Sequence, residues 1–125
     1  LFKNRNIMPE RIVLMAGGNN LSKSFKEPEK PEIVVEKMRE LIRYIKDELP
    51  NVQLQTWAIP RDYFNSDTFK EYNRLLELMC KQERCSFSKE LYEKTLEQDN
   101  RIFHNDKTHL SLTGYKICML PFLPK

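Results

Sequence analysis

The sequence has 125 residues, which suits a single domain able to bury roughly two thirds of the surface that its unfolded chain exposes. A hydrophobic content of 40%, an aromatic content of 10% and only 3 glycines indicate a globular body and exclude a disordered chain. The net charge of +3 arises from 21 basic and 18 acidic residues that are well mixed along the chain. Such mixing does not favour nucleic-acid binding by this segment, which would need clustered lysine and arginine.

No stretch approaches the roughly 20 apolar residues of a membrane-spanning helix, and no signal peptide opens the sequence. The first residue is Leu1 rather than an initiator methionine, so we expect the chain to be part of a longer protein. Three cysteines, Cys80, Cys85 and Cys118, form neither a Cys-x-x-Cys motif nor an even disulfide framework. Their number favours an intracellular, reducing compartment without settling it, and it favours structural roles for all three.

An apolar run over residues 11–16, ending at Gly17-Gly18, predicts the first strand. A continuous run of this kind is typical of a strand buried on both faces of a parallel sheet. The preceding residues 1–8 are interpreted as the end of a helix or a loop. Residues 19–31 are polar and contain two prolines, which predicts a loop long enough to be functional.

Helical spacing follows, with Pro31 at the helix entry and Pro50 at its end. One face carries the apolar side chains of Val34, Met38, Leu41, Ile42, Ile45 and Leu49. Residues 52–59 predict the second strand, which Pro60 terminates.

A second helical pattern begins after Asn65 or Ser66, either of which can cap it. Its apolar face comprises Phe69, Tyr72, Leu75, Leu76 and Met79. A short strand is expected near residues 85–87, followed by a brief helix capped by Ser88 and a polar loop over 97–109. A last helix is expected from a Ser111 cap through Met119, ended by Pro121 and Pro124. This alternation of strands and helices predicts an α/β fold with a parallel sheet.

The segment from His104 to Tyr115 is the most informative part of the sequence. Asp106 precedes His109 by three positions, and a carboxylate so close to an imidazole can fix its tautomer and stabilise its charged form, as a general base requires. Ligands of parallel sheets bind beyond the carboxyl ends of the strands, where Asn19 follows the first strand. We expect the His109 loop to reach the same rim.

Together these segments resemble the SGNH (GDSL-type) hydrolases. The family's Gly-x-Asn-Asp block is matched by Gly17-Gly18-Asn19-Asn20, with Asn20 in place of the usual aspartate, and its Asp-x-x-His block is matched by residues 106–109, with Lys107 where glycine is common. The strand end at Ile59-Pro60 and Asn73 in the following helix also look like the middle of the family's domain. The sequence as a whole is also similar in character to the SGNH-like domains of some retroelement-encoded proteins.

The resemblance implies a flavodoxin-like three-layer α/β/α fold and an esterase or acetylhydrolase that transfers an acyl group from a small ester or acylated substrate through serine. His109 would be the general base, Asp106 its orienting carboxylate and Asn19 an oxyanion-hole donor. The family's Gly-Asp-Ser block and oxyanion-hole glycine block have no counterpart here. We therefore expect residues 1–125 to be a partial SGNH-like domain that lacks its N-terminal strand or strands and is inactive alone.

Other interpretations remain open for each residue. His109 can be an ordinary loop histidine, Asp106 a turn or capping residue, and Asn19 a turn residue after two glycines. Ser22 and Ser24 lack the Gly-x-Ser-x-Gly elbow of a nucleophile, so neither is expected to act as one. His104, Asp106 and His109 lie on one short loop and make a poor zinc pattern, so no metal is expected, and no other cofactor either. The alternative function is a degenerate interaction module that covers its incomplete sheet, for example by self-association.

Overall fold

The computed structural model describes residues 9–22, 27–64, 67–105 and 109–122. Three parallel strands, β1 (Arg11–Leu14), β2 (Gln53–Trp57) and β3 (Ser86–Ser88), form one sheet in the order β1-β2-β3. Helices connect the strands, as parallel pairing requires. The predicted α/β class with a parallel sheet is therefore confirmed.

Two long helices cover one face of the sheet. Helix α2 (Pro31–Glu48) follows the short helix α1 (Gly18–Leu21), and α3 (Asp67–Gln82) connects β2 to β3. They form the larger core with the sheet side chains that face them, and its most buried members are Leu21, Val34, Met38, Ile42, Tyr72, Leu76, Met79 and Cys80. The predicted helical face of α2 is confirmed in this core, except that Leu41 is 39% exposed.

Among the described residues, the opposite face of the sheet is covered at one end only. Trp57 packs there with Leu91 of α4 (Glu90–Leu96) and with Cys118 near the C-terminus. Strand β1 has β2 as its partner in the described sheet, and its side chain at Val13 is 37% exposed. The prediction that β1 is buried on both faces is wrong, because no described element packs over the face that carries Val13.

The C-terminal segment begins as predicted. Ser111 caps α5 (Leu112–Gly114), its Oγ accepting a hydrogen bond from the Gly114 amide at 3.0 Å. The helix then widens to a π-helix over Tyr115–Met119 and tightens to a 3-10 turn over Leu120–Phe122. The last helix therefore extends through Met119 as predicted, and Pro121 lies in the 3-10 turn that follows it, while Pro124 lies outside the described residues.

Three other expectations need correction, and two more concern residues outside the described ranges. The loop predicted over 19–31 includes most of helix α1 at its start and the first residue of α2 at its end. The N-cap of α4 is Lys89, with Ser88 accepting a weak hydrogen bond of 3.4 Å from the Glu90 amide. The predicted polar loop 97–109 contains a 3-10 turn over Asn100–Ile102. The proposed caps Asn65 and Ser66, and residues 1–8, lie outside the described residues.

Candidate functional site

A cavity of about 400 Å³ lies beyond the carboxyl ends of β1 and β2. Its walls come from the turn after β1, from the end of β2, and from the C-terminal part of the chain. The lining residues are Met15, Ala16, Gly17, Gly18, Asn19, Asn20, Ile59, Pro60, Phe69, His109, Leu110, Tyr115 and Met119. Asn19 and His109, which are 90 positions apart in sequence, therefore line one cavity, and both are exposed to solvent.

The turn that presents Asn19 depends on a glycine. Gly17 has a φ of 114°, in the left-handed region, and a Cβ there would lie 2.6 Å from the Tyr72 Oη. The Tyr72 hydroxyl donates a hydrogen bond of 2.8 Å to the carbonyl of Ala16. Tyr72 itself is fully buried, and this burial raises the pKa of its hydroxyl well above the usual range. A neutral tyrosine from α3 thus fixes the chain immediately before Asn19.

Asn20 ties down the segment that follows. Its Nδ2 donates to Glu29 Oε1 at 3.2 Å, and its carbonyl accepts from the Glu29 amide at 2.7 Å. Lys37 of α2 donates to both oxygens of the same carboxylate and, as the largest cause, lowers the pKa of Glu29. Asn20 therefore closes the base of the segment between α1 and α2, which makes it a structural residue of the cavity wall.

A small hairpin presents His109. Phe103 and Leu110 form an antiparallel bridge, and the His109 carbonyl accepts from the His104 amide at 2.8 Å. On the next rung the Ser111 amide donates to the Ile102 carbonyl at 2.7 Å. These bonds hold the backbone of His109 beside that of His104. The next residue, Leu110, anchors this strand because its side chain is buried in the smaller core.

The hairpin rests on a buried arginine. Arg61 is 7% exposed, and its guanidinium donates to the carbonyls of Asp62, Thr95 and Gln98 at 2.9 to 3.0 Å. It also donates to Asn100 Oδ1 at 2.9 Å and lies 5.0 Å from the ring centre of Phe103. One side chain that follows β2 thereby connects α4 to the start of the hairpin.

Asn73 supports the part of the cavity wall that follows β2. Its amide pairs with both backbone groups of Ile59, accepting from the amide at 2.9 Å and donating to the carbonyl at 3.0 Å. The bond pair fixes the chain where β2 ends and where Ile59 and Pro60 enter the cavity wall. The sequence singled out Asn73, and its role in the structure is to hold the end of β2.

The other candidate residues lie away from the cavity or outside the described residues. Ser22 is buried and caps α1 rather than lining the cavity, and Ser111 caps α5. His104 is exposed outside the cavity lining, while Asp106 and Ser24 lie outside the described residues. Among the described lining residues there is no serine, threonine or cysteine to act as a nucleophile. Within the same residues no group of three His, Cys, Asp or Glu side chains could hold a metal.

Sequence reasoning missed the supports of this site. Phe69, Tyr72 and Arg61 were not assigned to it, although Phe69 lines the cavity and the other two hold its walls. The glycine at position 17 was the available signal, because a turn that needs glycine indicates that another residue, here Tyr72, packs closely against it.

In the described part of the chain, no helix is long and apolar enough to cross a membrane.

Comparison with known proteins gives a likeness of fold. No protein-family model matches the chain, and no curated protein matches it by sequence. It is similar to the crystal structure of a lipase/acylhydrolase from Enterococcus faecalis, with a TM-score of 0.62 and 16% identity over 86% of this chain. The match spans 56% of that protein's length. The likeness shows that the parallel sheet and its helices belong to the flavodoxin-like α/β arrangement of that acylhydrolase.

Proposed function

We propose that residues 1–125 form the C-terminal part of an SGNH-type hydrolase domain that cleaves carboxylic esters. The observation that carries the proposal is the shared cavity of Asn19 and His109 at the carboxyl ends of the strands. The fold likeness to a lipase/acylhydrolase supports it, and the 56% coverage of that protein leaves room for further elements. The nucleophilic serine would come from a Gly-Asp-Ser segment encoded before Leu1.

In this mechanism the serine hydroxyl attacks the ester carbonyl carbon, and His109 accepts its proton. Asp106 orients the imidazole and stabilises its charged form. The carbonyl oxygen becomes an oxyanion to which the Asn19 amide donates, a contact worth roughly 3–4 kcal/mol in the barrier. His109 then returns the proton to the leaving alkoxide. Water attacks the acyl-enzyme in the second half of the cycle, and His109, Asp106 and Asn19 keep the same roles.

The shape of the cavity suits an apolar acyl or alcohol group. Apolar residues such as Met15, Ile59, Phe69 and Leu110 are among those that line it, together with Asn19 and His109. A volume of about 400 Å³ is of the size that small-molecule sites have. We therefore propose short esters as substrates.

The test is hydrolysis of a short-chain p-nitrophenyl ester by the longer protein, its His109→Ala variant and the 125-residue chain alone. We expect activity in the longer protein, loss in the variant, and none in the chain by itself. His104→Ala is the matched control, because His104 is an exposed histidine of the same hairpin outside the cavity. Equal losses in the two histidine variants would contradict the assignment of His109.

A second candidate is an interaction module, favoured by the uncovered face of β1. Val13 of β1 and Met15, which directly follows this strand, are each 37% exposed, and β1 has β2 as its described partner. Exposed strands of this kind pair with other chains or other segments. An open reading frame without Gly-Asp-Ser ahead of Leu1, together with inactivity of the longer protein, would favour this candidate over the hydrolase.

A further inference from the structure

Two of the three cysteines meet at a single turn, between α3 and β3. The Cys85 amide donates to the Cys80 carbonyl at 2.8 Å, and the Arg84 amide donates to the Lys81 carbonyl at 3.3 Å. Arg84 has a φ of 55°, so the turn is a Schellman motif with Cys80 three positions from the helix end and Cys85 just beyond it. A side-chain contact between those two positions frequently accompanies this motif.

Both side chains belong to the larger core. The Thr56 hydroxyl of β2 lies 3.3 Å from the Cys85 sulfur, which also donates weak hydrogen bonds to the carbonyls of Leu54 and Ser86. Both cysteines are unbridged; Cys80 is fully buried whereas Cys85 is 9% exposed. Cys85 is therefore the more accessible of the two residues.

The surroundings favour the thiolate of Cys85. The neighbouring Cys80 side chain, followed by the Thr56 hydroxyl and the positive charge of Lys46, lowers the pKa of Cys85. The pKa of Cys80 is raised, chiefly by the neighbouring Cys85 side chain and by burial. Lys46 is held at the turn by hydrogen bonds from its Nζ to the carbonyls of Glu83 and Arg84.

We infer that Cys80 and Cys85 form an oxidisable dithiol, a modification site at which hydrogen peroxide converts the two thiols to a disulfide. The Cys85 thiolate attacks one peroxide oxygen, forming an S–O bond and breaking the O–O bond, which gives a sulfenic acid and, after protonation, water. The Cys80 sulfur then attacks the Cys85 sulfur. The S–S bond forms and the S–O bond breaks, and the departing hydroxide takes the Cys80 proton as a second water. Two thiols lose two electrons and the peroxide gains them.

This site is separate from the proposed ester-binding cavity, whose lining includes neither cysteine. The disulfide would join the last turn of α3 to the residue that enters β3. The backbone bond from the Cys85 amide to the Cys80 carbonyl holds the two residues together, and the disulfide would close across this turn with an S–S length of roughly 2.05 Å.

Hydrogen peroxide at equimolar concentration, followed by trypsin digestion and mass spectrometry, tests the inference. Trypsin cuts after Arg74, Lys81, Arg84 and Lys89, so the disulfide joins the peptides 75–81 and 85–89. We expect this cross-linked pair in the folded chain and its reversal by dithiothreitol. Cys85 should react at least about tenfold faster than Cys118, the buried cysteine of the other core, because the thiolate is the reactive form.

Single variants complete the test, with circular dichroism to establish that each is folded. In Cys80→Ser we expect Cys85 to stop at the sulfenic acid, which dimedone traps, and in Cys85→Ser we expect Cys80 to remain a thiol. Cys118→Ser should still form the cross-link. A folded chain that keeps all three thiols after peroxide treatment, or that oxidises Cys118 as fast as Cys85, would overturn the inference.

Discussion

Gly114 packs against the backbone of Ile102, next to the histidine hairpin. A Cβ at this position would lie 2.2 Å from the Ile102 carbonyl oxygen and 3.0 Å from its carbon. Both are backbone atoms, so no side-chain rotation can relieve the clash. Ordinary contact between carbon and oxygen begins near 3.3 Å, so Gly114→Ala must open the contact by about 1 Å.

The expected sign is opposite to that of helix propensity. Gly114 has helical backbone angles, and on propensity alone alanine would stabilise the helix by about 1 kcal/mol. Overpacking of a close contact costs about 1–3 kcal/mol, and here the clash is with backbone. We therefore expect Gly114→Ala to lower the free energy of unfolding by about 1–2 kcal/mol. The same displacement should lengthen the 2.7 Å bond from the Ser111 amide to Ile102.

Urea unfolding of the chain measures the first effect, and amide chemical shifts of His104 and Ser111 report the second. Gly18→Ala is the control, since a Cβ at Gly18 meets no atom within 4 Å. We expect this control to change the unfolding free energy by less than about 1 kcal/mol. A Gly114→Ala chain as stable as the parent, with unmoved amide resonances in the hairpin, would refute the reasoning.

Three further predictions concern the supports of the fold. Gly17→Ala should destabilise the chain by about 1–3 kcal/mol in urea unfolding, because the φ of 114° and the contact with Tyr72 both oppose a side chain; unchanged stability would contradict it. Arg61→Lys should cost about 1–3 kcal/mol by leaving buried carbonyls unpaired, a reading that fails if lysine restores full stability. The pKa of Glu83 is lowered to about 2 by two arginines of α2, so its stabilisation is complete above the unfolded pKa near 4.5 and is lost as the pH falls toward 2. Acid unfolding should show this loss in the parent and not in Glu83→Gln.

The helices and the sheet were predictable because their signals are local. The apolar positions of α2 recur at helical spacing, and the strand runs at β1 and β2 are bounded by glycine and proline. The Ser111 cap was also predictable, since a serine at a helix start accepts a bond from an amide of the first turn. These features depend on residues within one or two turns of each other.

The uncovered face of β1 was not predictable from its own residues. A continuous apolar run indicates that a strand can be buried on both faces, but other elements decide whether it is, and no described element covers Val13. The same limit applies to Arg61, whose partners Thr95, Gln98 and Asn100 are 34 to 39 positions away. The widening of the last helix over residues 115–119 has no sequence signal that we recognise.

For the site, the sequence motifs indicated two residues, and the fold brings both to one cavity. Asn19 follows β1 and His109 lies on a hairpin anchored by Phe103 and Leu110. Their order along the chain could be read from the motifs, whereas their proximity depends on the sheet and on the packing of the smaller core. Their chemical roles stay predictions, as does that of Asp106.

The central claim is that the cavity of Asn19 and His109 is an ester-cleaving centre. The most direct measurement is the kcat of the longer protein on a p-nitrophenyl ester after Asn19→Ala, with His104→Ala as the control. Loss of one oxyanion donor should lower kcat by roughly 10²–10³-fold with little change in KM. A kcat for Asn19→Ala equal to that of the control would contradict the claim.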